Sequence, residues 1–442
     1  MSINLSKIIS HALSRGFDEA AVAYYKLDRV MIKFANSQPS VSQSWIEYIA
    51  TLYLVKDKRI MVSVVESVSE EEVVKKINEA INQVGSLERS FIYAPLPEPD
   101  PNAKPLQNLV SSKVLDFLRD PSGVSEIIVN KASEERIERF AGAIDSFLGE
   151  RCVATSKNFE ACEKSTYFSF YIRAFLGEGS GHWGFGASSY ETRDLEETVS
   201  LAAHYAKESS KNIKDIEPGV YDVILSPLVV GNFLGYISMA LNGLNKITGM
   251  SFFAKNNPGD QVASDKLTLV DDPFRNDMFG SAGFDDEGIS TRRNVLIEKG
   301  VLKTFIHNTK TASVLGTSST GNAGWITPRP WNLVIVPGDM DESEMIRGVR
   351  RGLLINNNWY TRYQNAVEGI FSTVTRDALL IIENGEIKGS AKRMRIADSF
   401  PRLLRNIAGL GKRVYKAKWW EIRESIETPY IYIRDVNITK PF

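Results

Sequence analysis

The stretch SPLVVGNFLGYISMALNG, residues 226–243, decides how the rest of the chain is interpreted. Ser226 can cap a helix, and Pro227 suits its first turn, where a missing N–H costs nothing. Asn242 and Gly243 are a usual helix stop. No charged residue occurs between Val223 and Asn245. The stretch therefore predicts a helix that is uncharged over its whole length.

This uncharged segment is long enough to cross a bilayer, for which about 20 residues suffice. However, nine of its 23 residues are Ser, Pro, Gly or Asn, and Lys246 follows it without an aromatic belt. Apolar membrane spans rarely have that composition. We therefore expect a buried core helix and no contact with a membrane.

The overall composition is that of an ordinary globular protein. The chain has 442 residues, 43% of them hydrophobic and 24% charged, and a net charge of −1, which gives no reason to expect nucleic acid. Its first twenty residues lack the pattern of a signal peptide. Cys152 and Cys162 are its only cysteines. We expect a cytoplasmic protein whose two cysteines are buried packing residues rather than a disulfide framework.

The first 215 residues read as one α+β domain of helices and an antiparallel sheet. Ser69 and Glu72 have the spacing of a capping box, and the five prolines of 94–105 exclude helix and central strand, which indicates a linker. A helix is expected over 132–151, followed by strands. The α-β-α order then resembles that of the first hundred residues, which weakly suggests duplication.

Residues 216–442 read as a second, mostly β domain that contains the uncharged helix. Lys299-Gly300 and Asn384-Gly385 each separate two apolar runs, and the second pair is a strong type I′ turn signal. The whole chain is therefore predicted to be α+β, with an antiparallel N-terminal half and a mostly β C-terminal half.

Four histidines restrict the search for a catalytic set. His11 belongs to the first helix, where a position on the polar face or a half-buried one is expected rather than a catalytic role. His204 and Glu208 are four residues apart and could reach a metal, but an exposed pair is the better interpretation. His182 lies in the glycine-rich piece GEGSGHWGFGASS, where a structural turn is favoured over a ligand role, and His307 is expected in a strand.

Two charged segments have both a functional and an ordinary interpretation. The carboxylates Asp285, Asp286 and Glu287 could hold a cation, although a solvated turn is favoured. Between Lys388 and Lys418 ten cations accompany one acid, and Trp419 and Trp420 follow. Such a segment could bind nucleic acid or an acidic partner. Because the whole chain is balanced in charge, an amphipathic surface helix with paired cations is favoured.

The segment FDDEGISTRRNVLIEKGVLKTFIHNTKTASVLGTSSTGNAG, residues 284–324, resembles the TldD/PmbA family of peptide-maturation proteases and DNA gyrase modulators. That family carries a D-x-E-G turn, a T-x-R, an L-I-E-x-G-x-L hairpin and a T-G-N or T-G-H loop. A second segment, FSTVTRDALLIIENGEIKGSAK at 371–392, resembles its later strand and hairpin. The resemblance touches most of the chain and is most specific between residues 220 and 390.

The resemblance implies a metallopeptidase fold whose zinc-binding helix has changed here. The TldD subunit of the family holds zinc with an H-E-x-x-x-H helix and a C-terminal cysteine. That motif falls on Leu234 to Met239, with Gly235 in place of the glutamate, and no cysteine follows Cys162. The chain is thus similar to TldE, the subunit without zinc, and the zinc is expected in a TldD-like partner.

The leading hypothesis is therefore a non-catalytic TldE-like subunit of a complex that cleaves unfolded or extended peptides. It pairs with a TldD-like chain or with itself. The alternatives are an autonomous hydrolase with a different site, and a binding protein that uses 388–420. Strands near 356–371 and a small-residue loop could hold peptide by edge pairing; the candidate cavity residues are Gly316, Thr320, Gly321, Asn322 and Tyr363.

Overall fold

The computed structural model describes residues 3–66 and 69–441. Its architecture is α+β, as the sequence predicts. One sheet is built from the first half of the chain and a second, larger sheet from the second half.

The first sheet has six antiparallel strands in the order β3-β2-β1-β4-β5-β6. It is made by two consecutive units of three strands, and β1 of the first unit pairs with β4 of the second at the centre. The elements are α1 (Leu5–Ser14), β1 (Glu19–Ala35), β2 (Gln38–Lys56), β3 (Arg59–Glu66), α2 (Glu70–Gln83), α3 (Ser112–Arg119), α4 (Ser122–Glu134), β4 (Arg139–Thr155), β5 (Glu160–Leu176), β6 (Gly179–Ala187) and α5 (Thr192–Ser209).

The second sheet has twelve strands of mixed direction among the described residues. Its strands are β7 (Ile213–Lys214), β8 (Gly219–Leu225), β9 (Leu269–Asp271), β10 (Asn294–Glu298), β11 (Val301–Leu302), β12 (Asn332–Ile335), β13 (Arg351–Asn365), β14 (Ile370–Glu383), β15 (Glu386–Ala391), β16 (Arg395–Ser399), β17 (Ile407–Tyr415) and β18 (Ser425–Thr439). Its helices are α6 (Pro227–Ala240), α7 (Gly243–Ile247), α8 (Thr309–Leu315), α9 (Glu342–Arg347) and α10 (Phe400–Arg405). The division into domains at residue 215 stays a prediction, and β7 lies just before it and pairs with β15.

The helix caps that short sequence patterns predict are confirmed, because in each a side chain accepts a hydrogen bond from a nearby backbone N–H. Ser226 caps α6 by accepting a hydrogen bond from the Leu228 amide, and Pro227 is its first residue. The capping box of Ser69 and Glu72 is present at α2. Within the stretches that the structure covers, no helix is long and apolar enough to cross a membrane.

The helix expected over 132–151 is wrong. Helix α4 ends at Glu134, and the chain from Arg139 onward is β4, which pairs with β1 on one side and β5 on the other. A β-carbon at Gly142 would lie 2.2 Å from the Tyr171 carbonyl oxygen, so glycine allows the two strands to approach. Pairing on both edges overrides the local helical preference of this Ala- and Glu-containing segment.

The glycine-rich piece around His182 is strand β6 rather than a turn. On one face Gly181 packs against α5, where a β-carbon would lie 2.1 Å from the Ala202 carbonyl oxygen. On the other face Gly184 packs equally closely against Lys418. The glycines therefore let a flat edge strand be covered on both faces.

Two further expectations are corrected. Cys152 and Cys162 are not two separate packing residues, because they stand opposite each other on β4 and β5 and form a disulfide. The amphipathic helix expected within 388–420 is also wrong: α10 is only six residues long, and β17 follows it, since that segment pairs with β18.

Candidate functional site

Helix α6 lies in the core, and its three motif-equivalent residues have different surroundings. Leu234 is 2% exposed and lines a small apolar cavity of about 40 Å³ together with Phe400. Met239 is 50% exposed on the opposite side. Gly235 lies against the Glu424 carboxylate. The structure therefore does not bring the side chains of these positions together.

The side chains at these positions do not fit zinc. A catalytic zinc site needs about three nitrogen, sulfur or oxygen ligands around one point. Leu234 and Gly235 offer none, and the thioether of Met239 faces outward. Among residues 3–66 and 69–441 there is no group of three His, Cys, Asp or Glu side chains that could hold a metal ion.

A groove runs between the six-stranded sheet and the C-terminal half of the chain. It consists of two adjoining cavities, of about 370 Å³ and 520 Å³, which share Phe147, Phe279 and Arg423 in their walls. Strands β1, β4 and β5 form its floor. Glu424, the residue that lies against Gly235 of α6, lines the smaller cavity. The groove thus passes beside the helix on which the sequence resemblance places the family motif.

The smaller cavity is backed by a buried charge network. Arg151 donates to Glu163 at 2.9 Å and to Asp286 at 2.8 Å, and Arg329 donates to the same Asp286 oxygen at 3.1 Å. These groups come from β4, β5 and two loops of the C-terminal half. The network therefore joins the two halves of the chain directly under the groove.

The solvated turn expected at residues 285–287 is wrong, because all three carboxylates are buried. Glu287 pairs with the buried Lys310, at 2.5 Å. Asp285 accepts three backbone N–H bonds, from Glu287, Ile289 and Ala323. Burial and the neighbouring Glu287 charge still raise the pKa of Asp285 above its ordinary value. The turn is therefore buried inside the protein, and its charges are compensated by residues distant in sequence.

The candidate cavity residues lie away from the groove walls. Thr320 and Asn322 belong to a buried network in which the Asn322 amide donates to Asp271 at 2.6 Å. Gly316 ends α8 in a left-handed conformation, Gly321 packs against Ser290, and Tyr363 meets Tyr236 edge-on. A peptide contact at any of these positions stays a prediction.

The histidines do not form a site with one another. His11 is half-buried and contacts Asn78. His307 precedes α8 instead of lying in a strand, since it packs against Gly243 and contacts Thr311. His204 is exposed. His182 is fully buried beside Asn357, and burial lowers its pKa to about 3, so it is neutral.

At least six of the ten cations of the 388–418 segment form ion pairs, four of them with acids distant in sequence. These ion pairs are Lys388–Glu386, Lys392–Asp215, Arg402–Asp398, Lys412–Asp341, Arg413–Glu197 and Lys416–Asp277. Trp419 is buried and Trp420 is 64% exposed. The segment is therefore partly neutralised by ion pairs, which agrees with the pairing in its ordinary interpretation although not with the helix.

The groove itself was not found from the sequence. Its floor residues alternate along β1 and β4, as they do in any strand with one face covered. Arg29, Lys33, Asp145 and Phe147 have no distinctive spacing. Only a prediction of how the two halves of the chain pack together would have assembled them.

Comparison with known proteins assigns this architecture to a family. Residues 218–440 match the model of the PmbA/TldA metallopeptidase C-terminal domain, and residues 110–212 match that of the PmbA/TldA metallopeptidase central domain. The chain belongs to the PmbA/TldD family.

Relatives in this family agree with the match. A protein named as a metalloprotease in Methanocaldococcus jannaschii is 25% identical over 334 residues, which cover 72% of this chain and 73% of that one. The crystal structure of TldE from Thermococcus kodakarensis has a TM-score of 0.81 at 24% identity and covers 98% of this chain and 99% of that one. A Thermotoga maritima structure, described as a candidate modulator of a DNA gyrase, has a TM-score of 0.83 at 20% identity with the same coverage. The two structures establish the PmbA/TldD fold for this chain.

Proposed function

We propose that this chain is the non-catalytic, TldE-like subunit of a PmbA/TldD-family zinc metallopeptidase that cleaves unfolded or extended peptides. The observation that supports this is helix α6, on which the sequence resemblance places the family's zinc motif and which carries Leu234, Gly235 and Met239 there. The zinc then belongs to a TldD-like partner subunit.

The packing of α6 suits such a role. Eleven of its fourteen residues are buried. A histidine or carboxylate at Leu234 would leave a polar group in an apolar site, at a cost of several kcal/mol unless a metal or partner compensated it. An uncharged helix avoids that cost. The subunit's own contribution is then to hold and orient peptide.

The test is a peptidase assay on an unfolded protein, with the zinc content of each sample measured in parallel. Three samples are compared: this chain, a TldD-like chain from the same source, and their mixture. We expect this chain to be zinc-free and inactive and the mixture to cleave faster than the partner alone. A mixture whose partner has lost a zinc-ligating histidine is the control and is expected to be inactive.

Two results would contradict the proposal. One is stoichiometric zinc with unaided cleavage by this chain, which would make it an autonomous hydrolase. The other is a stable mixture with no more activity than the partner alone. Binding of nucleic acid through 388–420 is disfavoured by the paired cations of that segment.

A further inference from the structure

The larger cavity of the groove, about 520 Å³, has more positive than negative charge in its walls. Lys33 enters it from β1, and Lys418 and Arg423 enter it from the segment between β17 and β18. Asp145 is the one carboxylate that lines it among the described residues. The Arg29 guanidinium donates one hydrogen bond to each oxygen of that carboxylate, at 2.7 Å and 2.5 Å.

The other three cations are not neutralised. In the described part of the chain, no carboxylate lies within 4.0 Å of the charged nitrogens of Lys33, Lys418 or Arg423. The Lys418 ammonium donates to the carbonyl oxygens of Ile422, at 2.6 Å, and Arg423, at 2.9 Å. Burial lowers its pKa to about 8 in spite of the more distant Glu424 and Asp145 charges. The cavity therefore has an uncompensated positive potential.

Aromatic rings surround this charge. Phe147 stacks on Tyr167, and Phe279 meets Tyr167 edge-on with ring centroids 4.9 Å apart. Trp420 stands exposed at the rim. Rings of this kind provide rigid apolar contact area and exclude water, which strengthens the electrostatic attraction of an anion.

The adjoining cavity is balanced in charge instead of positive. Its walls include the glutamates Glu150, Glu163 and Glu424 and the arginines Arg151, Arg329 and Arg423. Glu424 has no ion pair within the described residues, and it lines the smaller cavity beside Gly235. A continuous polyanion such as single-stranded nucleic acid would meet these carboxylates. The groove is instead complementary to a chain that places one acidic group in the larger cavity and carries no continuous negative charge beyond it.

We infer that the larger cavity is a subsite for an acidic side chain of an extended polypeptide, held by the charges of Lys33, Lys418 and Arg423 between aromatic walls. This inference rests on the proposed function, because it names the class of peptide that the subunit would present. The acidic side chain occupies the larger cavity, and the peptide backbone continues over β4 toward Glu424 and α6.

The experiment measures fluorescence anisotropy of labelled, unstructured peptides that differ at a single central position, Glu, Gln or Lys. The proteins are the full chain, the double variant Lys33→Gln/Arg423→Gln, and the control Lys412→Gln. Lys412 is a surface cation that pairs with Asp341 away from the groove. We expect the Glu peptide to bind about fivefold or more tightly than the Gln peptide, and the Lys peptide to bind most weakly. In the double variant, the ratio of the affinities for the Glu and Gln peptides should fall to about one. In the control variant, that ratio should be the same as in the unchanged chain.

Equal binding of the Glu and Gln peptides, or no binding of either, would overturn the inference. Tighter binding of a single-stranded oligonucleotide than of the Glu peptide would overturn it as well. These failures differ from a failure of the proposed function: a chain that activates its zinc-bearing partner but does not prefer Glu refutes the subsite alone. A chain that does not activate the partner refutes the proposed function.

Discussion

The Glu424 carboxylate occupies the space beside Gly235, so that a β-carbon built at Gly235 would lie 3.0 Å from Glu424 Oε2. Glu424 has no ion pair among the residues that the structure describes, so its flexible end can move. Gly235 stands in the middle of α6, where glycine costs about 1 kcal/mol relative to alanine. We expect Gly235→Ala to leave stability unchanged or raise it by up to about 1 kcal/mol, measured by urea unfolding.

Gly235→Glu restores the acid of the family motif and tests the same relationship. It places a second carboxylate against Glu424, so we expect it to be less stable than Gly235→Ala at pH 8. Adding Glu424→Gln to Gly235→Glu should recover part of the lost stability. If Gly235→Glu were as stable as Gly235→Ala with Glu424 intact, the two side chains would not meet as the structure shows.

The Arg151 network gives the second prediction. The Arg151 side chain is 11% exposed and bridges Glu163 and Asp286. Arg151→Gln leaves both carboxylates short of a buried partner, so we expect the free energy of unfolding to fall by about 3–5 kcal/mol. Arg413→Gln, which breaks an exposed pair with Glu197, is the control and should change the free energy of unfolding by about 1 kcal/mol or less. Equal losses in the two variants would contradict the buried network.

The contrast between α6 and Asp286 shows what the sequence can predict. The cap at Ser226 and the turn at Asn384-Gly385, where both residues have positive φ, depend on neighbouring backbone, so a short pattern is sufficient. The burial of Asp286 depends on Arg151, 135 residues away, and on Arg329, 43 residues away. No local pattern shows that these cations will meet it. The groove was missed for the same reason.

Asp271 gives a prediction of pH dependence. It accepts hydrogen bonds from the Trp331 and Asn332 amides and from Asn322, but burial outweighs them and raises its pKa to about 7. Since this value lies above the ordinary 3.8, the folded protein holds the proton more tightly than the unfolded chain. The resulting stabilisation is complete below about pH 4 and is lost as the pH rises through about 7.

Asp271→Asn removes this titration. We expect the stability of the wild type, relative to the variant, to fall between pH 5 and pH 8 with a slope of at most about 1.4 kcal/mol per pH unit. Urea unfolding at four pH values in that range measures it. Asp265→Asn, at an exposed aspartate, is the control. A difference between wild type and Asp271→Asn that does not depend on pH would contradict the raised pKa.

The disulfide between Cys152 and Cys162 closes a short loop at the end of β4 and β5, with a sequence separation of 10. Closing such a loop restricts the unfolded chain, and we expect Cys152→Ala/Cys162→Ala to lower stability by about 2–3 kcal/mol. A reducing agent should destabilise the wild type and leave the double variant unchanged. Two titratable thiols in the untreated native protein would contradict the bond.

Tyr360 gives the last prediction, which concerns backbone strain. Its φ is +62°, at an irregularity of β13, and its side chain is 60% exposed beneath the Arg362 guanidinium. A bulky residue rarely adopts this conformation, which costs about 1–3 kcal/mol and tends to persist at functional surfaces. In an ordinary strand glycine is less stable than alanine by about 0.5–1 kcal/mol.

We therefore expect the reverse order at this position, with Tyr360→Gly more stable than Tyr360→Ala by about 1 kcal/mol, because only glycine relieves the strain. Both variants lose the ring, so the comparison isolates the backbone. Gln364, exposed on the same strand without positive φ, is the control, and its glycine variant should be less stable than its alanine variant. If both Tyr360 variants also pair more weakly with a TldD-like chain, measured by sedimentation, the strained ring belongs to the subunit interface. If alanine is at least as stable as glycine at 360, the strain is absent and this interpretation of Tyr360 is wrong.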